Sequence, residues 1–255
     1  MRLIIFLLPV LGMLGACTPT GTETSKAPDP PKMVQKEVGA DTTLAERGID
    51  AEARRENAIR IMWYRQPATQ GVVRYKIYRS QDADGLANYR FIGQQEAENS
   101  EDTTFVDLDS LSIFTKYFYF ITAVNEEGKE SLPSDTVWYN LLPKATPGFP
   151  KGQVFKPDSL GFTFNVPSDA FPNGYIFRIE RLIGANFREL VYLYMENPLQ
   201  GGFGQTQYTY TMNNKELQIF EDDIEYRWRI DLLAGDPLHN GSESDWATFS
   251  IDWGN

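Results

Sequence analysis

The side chains that could carry chemistry in this 255-residue chain are few. His239 is the only histidine and therefore the only candidate base for a nucleophilic triad, with Ser242, Ser244 and Asp245 following it. Proximity along the chain supplies neither an aligned triad nor an oxyanion hole, so we expect no catalysis at His239. The acidic run at residues 221–223 could serve a glycosidase only if a second carboxylate faced it across a cleft. We interpret that run as a solvated connection, and we expect the protein not to be an enzyme.

Metal ligands are equally scarce. Asp82, Asp84 and Gly85 open like a calcium-binding loop, but the twelfth position, which must supply a bidentate carboxylate, is Gly93. We therefore interpret Asp84 and Gly85 as part of a tight hairpin turn. With one histidine and one cysteine in the chain, the usual zinc ligands cannot be assembled. The sequence predicts no metal site and no cofactor.

The single cysteine, Cys17, follows a short apolar segment at the start of the chain. Arg2 precedes the apolar run at residues 3–14, which is shorter than the roughly 20 residues of a membrane-spanning helix and typical of a signal peptide. Residues 14–17, LGAC, resemble the lipobox of bacterial lipoproteins, which implies cleavage before Cys17 and a lipid on its sulfur. A plain signal peptide beside an unrelated cysteine is the alternative. Because Thr18 and not Asp follows, the resemblance implies attachment to the outer membrane of the cell envelope.

The next stretch, residues 17–41, is polar and contains four prolines. It has too few apolar side chains to form a core, and its prolines favour extended conformations. We interpret it as a disordered tether that joins the lipid-bearing Cys17 to the folded part. A proline-binding partner for this segment is the alternative.

The stretch that best indicates the fold is residues 111–134. Tyr117, Tyr119 and Ile121 alternate with other bulky side chains, which is the period-two pattern of a strand. Gly128 then supplies the positive φ that a hairpin reversal needs. The stretch therefore predicts two neighbouring strands joined by a turn.

These residues resemble the F strand, FG loop and start of strand G of a fibronectin type III domain. The matching positions are Leu111, Thr115, Tyr117, Ala123, Val124, Asn125, Gly128, Ser131, Pro133 and Ser134. The resemblance implies a β-sandwich in which Tyr117 is the tyrosine corner, a buried ring whose hydroxyl bonds to backbone a few residues upstream. Trp63 falls where the family places a core tryptophan on strand B. Ile113 departs from the pattern, which usually has proline there.

A second copy of this plan follows in weaker form. Tyr226, Trp228 and Ile230 repeat the spacing of the tyrosine-corner strand, so Tyr226 is a second corner candidate and Trp228 a core candidate. No tryptophan stands at the position that matches Trp63. The second domain resembles the wider immunoglobulin-like sandwich, of type III or of another variant.

The sequence therefore predicts an all-β protein with two immunoglobulin-like or fibronectin type III sandwiches in tandem. The predicted divisions are a signal peptide at 1–16, a disordered tether at 17–41, a first sandwich at 42–142, a linker at 143–152 and a second sandwich at 153–255. Prolines and glycines in the linker make it short and stiff, so we expect the sandwiches to lie end to end. With 42% hydrophobic residues, the chain can fill two cores.

The formal net charge of −11 argues against nucleic acid as a partner, because a chain this acidic repels phosphate. The leading interpretation is a non-catalytic, lipid-anchored protein of the bacterial cell envelope, with sandwiches for binding, adhesion or spacing. Its partners are then the membrane, through the lipid, and a protein or glycan whose identity the sequence leaves open. Loops on a rigid sandwich carry most recognition, which favours residues 81–88 and 236–243.

An alternative function is an accessory carbohydrate-binding lipoprotein of a polysaccharide-utilisation system. Aromatic rings on the surface would stack on sugars, and the candidates are Trp138, Tyr139 and Trp253. Because these rings lie on or beside predicted strands, we expect them to belong to the cores.

Overall fold

The computed structural model describes residues 26–97, 102–184, 187–197 and 205–254. Within these ranges the chain forms sixteen β-strands and four short 3-10 helices, with no α-helix. The 3-10 helices are Ala40–Thr42, Ala68–Gln70, Leu86–Asn88 and Glu216–Ile219. None of these described helices has the length and apolar character needed to cross a membrane. The protein is all-β, as the alternating apolar pattern predicts.

The first sandwich consists of two facing sheets. One sheet has the order β1-β2-β5, with β1 at Asp50–Ala51, β2 at Ile59–Tyr64 and β5 at Asp102–Asp107. The other has the order β4-β3-β6-β7, with β3 at Val72–Ser80, β4 at Arg90–Glu96, β6 at Lys116–Asn125 and β7 at Val137–Leu141. Alternate residues of both sheets point inward and form one core.

Trp63 and Tyr117 lie in the centre of this first core. Trp63 on β2 is fully buried and meets Tyr75 edge to face, with ring centroids 5.2 Å apart. Tyr117 on β6 is also buried, and its hydroxyl accepts a hydrogen bond from the backbone N–H of Ser112 at 2.8 Å. The ring therefore contributes apolar burial while its polar end ties the β5–β6 connection to the core.

The second sandwich repeats this arrangement. Its three-stranded sheet has the order β13-β10-β8, with β8 at Thr146–Pro147, β10 at Leu160–Asn165 and β13 at Gln207–Met212. The facing sheet contains β11 at Gly174–Ile183, β12 at Phe187–Glu196, β14 at Tyr226–Leu233, β15 at Asn240–Glu243 and β16 at Ala247–Asp252. β9 at Gly152–Phe155 pairs in parallel with β16.

Trp228 and Tyr226 occupy the second core. Trp228 on β14 is fully buried, and its indole N–H donates to the carbonyl of Pro150 at 2.9 Å. The hydroxyl of Tyr226 accepts from the backbone N–H of Glu221 at 2.9 Å. In each sandwich, a buried tyrosine thus bonds to the backbone five residues upstream.

The predicted tether differs from the structure over residues 26–41, which pack on the folded part. Met33 is fully buried and forms an isolated antiparallel β-bridge with Trp63. The N–H of Val34 donates to the carbonyl of Met62 at 2.9 Å. Two buried apolar side chains and backbone hydrogen bonds to β2 hold the segment, and composition alone does not reveal those bonds. Cys17 and the rest of residues 17–25 lie outside the described residues.

Residues 143–152, predicted as a linker, belong largely to the second sandwich. Ala145 lies in its core, β8 pairs with β10, and Gly152 begins β9. Pro147 is compatible with β8 because an edge strand leaves one row of backbone donors unused.

The two sandwiches share a sheet, a contact that the predicted linker does not reveal. β15 pairs in parallel with β7, so that Asn140 lies opposite Asn240 and Leu141 opposite Gly241. The N–H of Leu142 also donates to the carbonyl of Gly241 at 2.9 Å. A continuous path of strands, β12-β11-β14-β15-β7-β6-β3-β4, therefore crosses both sandwiches. The pairing satisfies backbone groups that the exposed edges of β7 and β15 would otherwise leave to water.

Candidate functional site

The groups around His239 are engaged separately and do not converge. Nδ1 of His239 lies 3.0 Å from a carboxylate oxygen of Asp236, whereas the hydroxyls of Ser242 and Ser244 donate to backbone carbonyls. The imidazole stacks on Trp138 of β7, with ring centroids 4.3 Å apart and planes within 5° of parallel. His239 thus connects a loop of the second sandwich to the first.

The rings proposed for carbohydrate stacking are also engaged. Tyr139 is buried, and its hydroxyl donates to a buried carboxylate at 2.8 Å. The ring of Trp138 carries His239 and also Lys116, whose Nζ lies 4.4 Å from the ring centre. Trp253 packs half-buried against the second core, and its indole N–H donates to a backbone carbonyl at 3.2 Å. Sugar stacking requires a free ring face, so these three residues do not favour the carbohydrate alternative.

The loop at residues 81–88 is held by its own hydrogen bonds. The carboxylate of Asp82 accepts from the N–H of Asp84 at 2.9 Å and from the side-chain amide of Asn88 at 3.0 Å. Across the described residues, no group of three or more acids, histidines or cysteines is placed to hold a metal ion. The loop remains exposed along its length.

Only part of the second predicted binding loop, residues 236–243, is exposed. Its last four residues form β15, and Gly241, Ser242 and Glu243 are buried where the sandwiches meet. That half of the loop belongs to the contact between the domains, which corrects its assignment as a binding surface.

Where the sandwiches meet, the structure assembles a cluster of charged side chains, which we call the ionic junction. It contains five carboxyl groups and four cations. Its members are Lys36, Asp41, Glu46, Asp50 and Arg60 of the first sandwich and Arg178, Arg229, Asp231 and Glu243 of the second. All but Asp41 and Arg60 have side chains no more than 8% exposed.

Residues 36–50 bring the first sandwich's charges across the outer face of the second. Gly48 lies at φ +111°, and a Cβ there would be 2.5 Å from the backbone of Lys36, so the segment can fold back only with glycine at this position. The carbonyls of Asp41 and Thr43 then accept hydrogen bonds from Arg178. The segment therefore covers a face of β11 and β14 that would otherwise meet water.

The centre of the junction is a carboxylate between two arginines. Arg178 on β11 and Arg229 on β14 stand directly opposite each other in the sheet, where like charges repel. Glu46 lies between them: its Oε1 is 2.9 Å from Nη2 of Arg178 and accepts a hydrogen bond from Arg229. Arg229 further contacts Asp231 at 2.8 Å and Glu243 at 2.9 Å. The second sandwich thus obtains a counter-ion from the first.

A second group of charges lies beside it. Nζ of Lys36 is 2.8 Å from Asp41 and 2.7 Å from Asp50, and Tyr139 of β7 donates to the other oxygen of Asp50. Burial alone would raise the pKa of Asp50. The charge of Lys36, a hydrogen bond with Asp41 and the charge of Arg60 together outweigh burial, so the pKa lies below its ordinary value. Burial, followed by the charge of Asp50, raises the pKa of Asp41 to about 8.

Two further carboxyls are also difficult to ionise. Burial raises the pKa of Glu46 to about 7 against the opposing effect of Arg229. Burial likewise raises the pKa of Glu243 well above its ordinary value. In the folded chain, Asp41, Glu46 and Glu243 therefore bind protons more readily than exposed carboxyls do. The charges of the ionic junction pair with one another. The arrangement can therefore fix the two domains relative to each other and bind or release protons.

No local pattern in the sequence indicates this junction. Arg178, Arg229 and Asp231 alternate with core residues along their strands, which is the pattern of a sheet face exposed to water. The one usable signal was the like-charged pair formed by Arg178 and Arg229, which becomes visible only when the strand register is known.

Substituting Gly241 with alanine should loosen the shared sheet. An added Cβ would lie 2.8 Å from the hydroxyl of Tyr139 and 3.0 Å from the carbonyl of Leu232, so the β7–β15 contact must move. We expect a loss of about 1–3 kcal/mol in the free energy of unfolding, measured by urea denaturation. Hydrogen exchange at the N–H groups of Asn140 and Leu142 should accelerate in parallel.

Gly235→Ala is the matched control, since its added Cβ would meet only a side-chain nitrogen of Asn173 at 3.7 Å. That variant should unfold within about 0.5 kcal/mol of the natural chain. Equal exchange protection in Gly241→Ala and the natural protein would contradict the role assigned to this contact.

Comparisons with known proteins give structural similarity alone. No protein-family model matches the chain, and no curated protein does. The chain is similar to the crystal structure of chicken CNTN1 FN1-FN3 domains, with 11% identity, 87% of this chain and 68% of that chain covered, and a TM-score of 0.37. It is also similar to a β-1,2-glucanase from Parabacteroides distasonis, with 23% identity and a TM-score of 0.31. The match covers 45% of this chain and 13% of that chain. Titin module A71 from human cardiac muscle matches at 18% identity, 44% and 92% coverage and a TM-score of 0.25.

These TM-scores are low, so the sandwich assignment depends on the sheet orders and the two cores described above. In both sandwiches, three strands face the larger sheet, and a buried tyrosine bonds to the backbone upstream. This is the arrangement expected of fibronectin type III or immunoglobulin-like modules.

Proposed function

We propose that the protein is a non-catalytic component of a bacterial cell envelope, anchored by a lipid on Cys17, in which two β-sandwiches act as one rigid unit for binding, adhesion or spacing. The contact between the modules supports the rigid unit, and the resemblance of residues 14–17 to a lipobox supports the anchor. A shared sheet and the ionic junction fix both sandwiches, whereas domains joined only by a linker would move independently.

The exposed surface that has the features of a recognition site is the loop at residues 81–88 with the start of β4. Leu86 is 59% exposed and Phe91 is 52% exposed, and Tyr78 packs against Phe91 edge to face. Exposed apolar groups on a rigid sheet support protein contacts, because their burial is favourable and little order is lost on binding. Arg90 and Asp109 form an ion pair of 2.6 Å nearby, on the polar rim.

Metabolic labelling with an alkyne fatty acid tests the anchor. In growing bacterial cells, the natural chain should acquire the label and sediment with membranes, and Cys17→Ser should do neither. A Thr18→Ser variant, which leaves the cysteine in place, is the control and should be labelled normally. An unlabelled natural chain would contradict the lipid anchor.

A further inference from the structure

The chain enters the first sandwich at one defined end. The carbonyl of Lys26 accepts from the side-chain amide of Asn125 at 3.3 Å. The N–H of Asp29 donates to the side chain of Gln70 at 2.9 Å, and the amide of Gln70 donates back to Asp29 at 3.1 Å. Further along the chain, the N–H of Met33 donates to a carboxylate oxygen of Asp135 at 2.9 Å. Residues 26–33 are therefore attached to the sandwich from their first residue.

This end lies away from the second sandwich. Gln70 belongs to the β2–β3 connection, and Asn125 ends β6, just before the turn that leads to β7. β7 runs from that end towards Leu141, which pairs with β15 of the second sandwich. The docked residues and the second sandwich are consequently separated by the length of the first sandwich.

Only eight residues, 18–25, separate Cys17 from Lys26. Whatever their conformation, the nine steps from Cys17 to Lys26 span at most about 32 Å. A tether over residues 17–41 would reach on the order of 70 Å if extended at about 3.1 Å per residue. Docking of residues 26–33 therefore removes more than half of the reach that the sequence suggests.

We propose that the end of the first sandwich formed by residues 26–29, 66–71 and 125–129, the membrane-facing end, is held against the lipid surface, with the second sandwich directed away. This inference rests on the proposed lipid on Cys17. The occupant of the surface is the bilayer that carries the anchor, because the chain outside the docked residues is too short to place any other end there.

The short connection from Cys17 to Lys26 keeps the membrane-facing end near the bilayer, and electrostatic attraction to the headgroups does not contribute. At the membrane-facing end three acids, Asp29, Glu126 and Glu127, outnumber two lysines, Lys26 and Lys129, and the whole chain carries a net charge of −11. Anionic headgroups repel such a surface, so the protein without a lipid has no electrostatic reason to bind a bilayer. Both the length of the connection and the docking of Asp29 on Gln70 should control the distance.

Energy transfer to labelled lipid tests the orientation. The chain from Cys17 onward is coupled through its only thiol to a maleimide lipid in vesicles of phosphatidylcholine and phosphatidylglycerol. A donor dye is placed through an azide-bearing amino acid at position 127, or at position 225. Glu225 is equally an exposed glutamate but precedes β14, at the end of that strand away from β15. Transfer to a lipid acceptor should be several-fold stronger from position 127.

Three variants make the result decisive. Inserting 20 glycine and serine residues between Ser25 and Lys26 should lower transfer from position 127 several-fold. Gln70→Ala, which removes two of the hydrogen bonds that hold Asp29, should lower it by a smaller factor. Gln153→Ala on the second sandwich should leave it unchanged. The uncoupled Cys17→Ser chain should not bind the vesicles. Equal transfer from both positions, an insertion without effect, or binding of the uncoupled chain would overturn the inference.

The vesicle measurement is independent of lipidation in cells, because the chemical coupling replaces it. Absence of fatty-acid label in cells with strong transfer from position 127 would refute the proposed anchor while preserving the orientation of a tethered chain. Labelling in cells with equal transfer from both positions would refute the orientation and preserve the anchor.

Discussion

The Glu46→Ala variant is expected to lose about 3–5 kcal/mol of the free energy of unfolding, because it removes the buried carboxylate that Arg178 and Arg229 share. Arg178 and Arg229 stand opposite each other in the sheet, are at most 4% exposed, and meet at Glu46. Removing one partner of a buried ionic group is far more costly than the group's net contribution to stability. Urea denaturation monitored by tryptophan fluorescence at pH 8 measures the loss.

Glu221→Ala is the matched control. Glu221 pairs with Arg181 on the same strand as Arg178, but its side chain is 58% exposed, and exposed pairs contribute only about 0–1 kcal/mol. In a Glu46→Gln background, Arg178→Met should cost at least about 1 kcal/mol less than in the natural chain, since the two groups are coupled. Additive effects of the two substitutions would refute the central position of Glu46.

The free energy of unfolding is expected to decrease as the pH rises from about 5 to about 8, since two carboxyls have raised pKa values. In the folded chain these are about 8 for Asp41 and about 7 for Glu46, against ordinary values of 3.8 and 4.5. Between the ordinary and the raised pKa of each carboxyl, the folded state holds more protons than the unfolded state. The stability that each carboxyl contributes is therefore complete below its ordinary pKa and lost above its raised pKa. Each extra proton held in the folded state costs about 1.4 kcal/mol per pH unit over this window.

Asp50 acts in the opposite direction. Its pKa is lowered in the folded state, so its contribution is lost as the pH falls below the ordinary value of 3.8. The two effects together give greatest stability in the mildly acidic range. Denaturation series between pH 4 and pH 9, buffered at constant ionic strength, measure the curve.

Asp41→Asn should flatten the decline between pH 5 and pH 8, because it removes one of the titrating groups. Asp158→Asn, at an exposed position of the second sandwich, should reproduce the natural curve. The assignment is incorrect if Asp41→Asn keeps the full slope.

The strands could be predicted from the sequence because their information is local. Tyr117, Tyr119 and Ile121 alternate towards one core, and Tyr226, Trp228 and Ile230 repeat the pattern in the second. Both corner tyrosines have hydroxyl partners five residues upstream, a distance that a short turn fixes.

The junction could not be predicted because its information is not local. Arg178 has the sequence neighbours of a surface residue, and its burial depends on Asp41 and Glu46, which belong to another domain. Likewise, the docking of Met33 depends on β2, and the average composition of residues 17–41 conceals it. Register and domain contact decide both cases, and neither is encoded in periodicity or in local propensity.

The position of Glu46 also sets an order of assembly during synthesis. Glu46 and Arg229 are 183 residues apart, so the ribosome must make most of the chain before the acid meets its partner. The first sandwich emerges with an unpaired edge at β7, and the charged segment at residues 36–50 has no second sandwich to pack on. Both features recruit chaperones or favour aggregation. Truncation after the first module would make that transient state permanent, and the two halves are best regarded as a single folding unit.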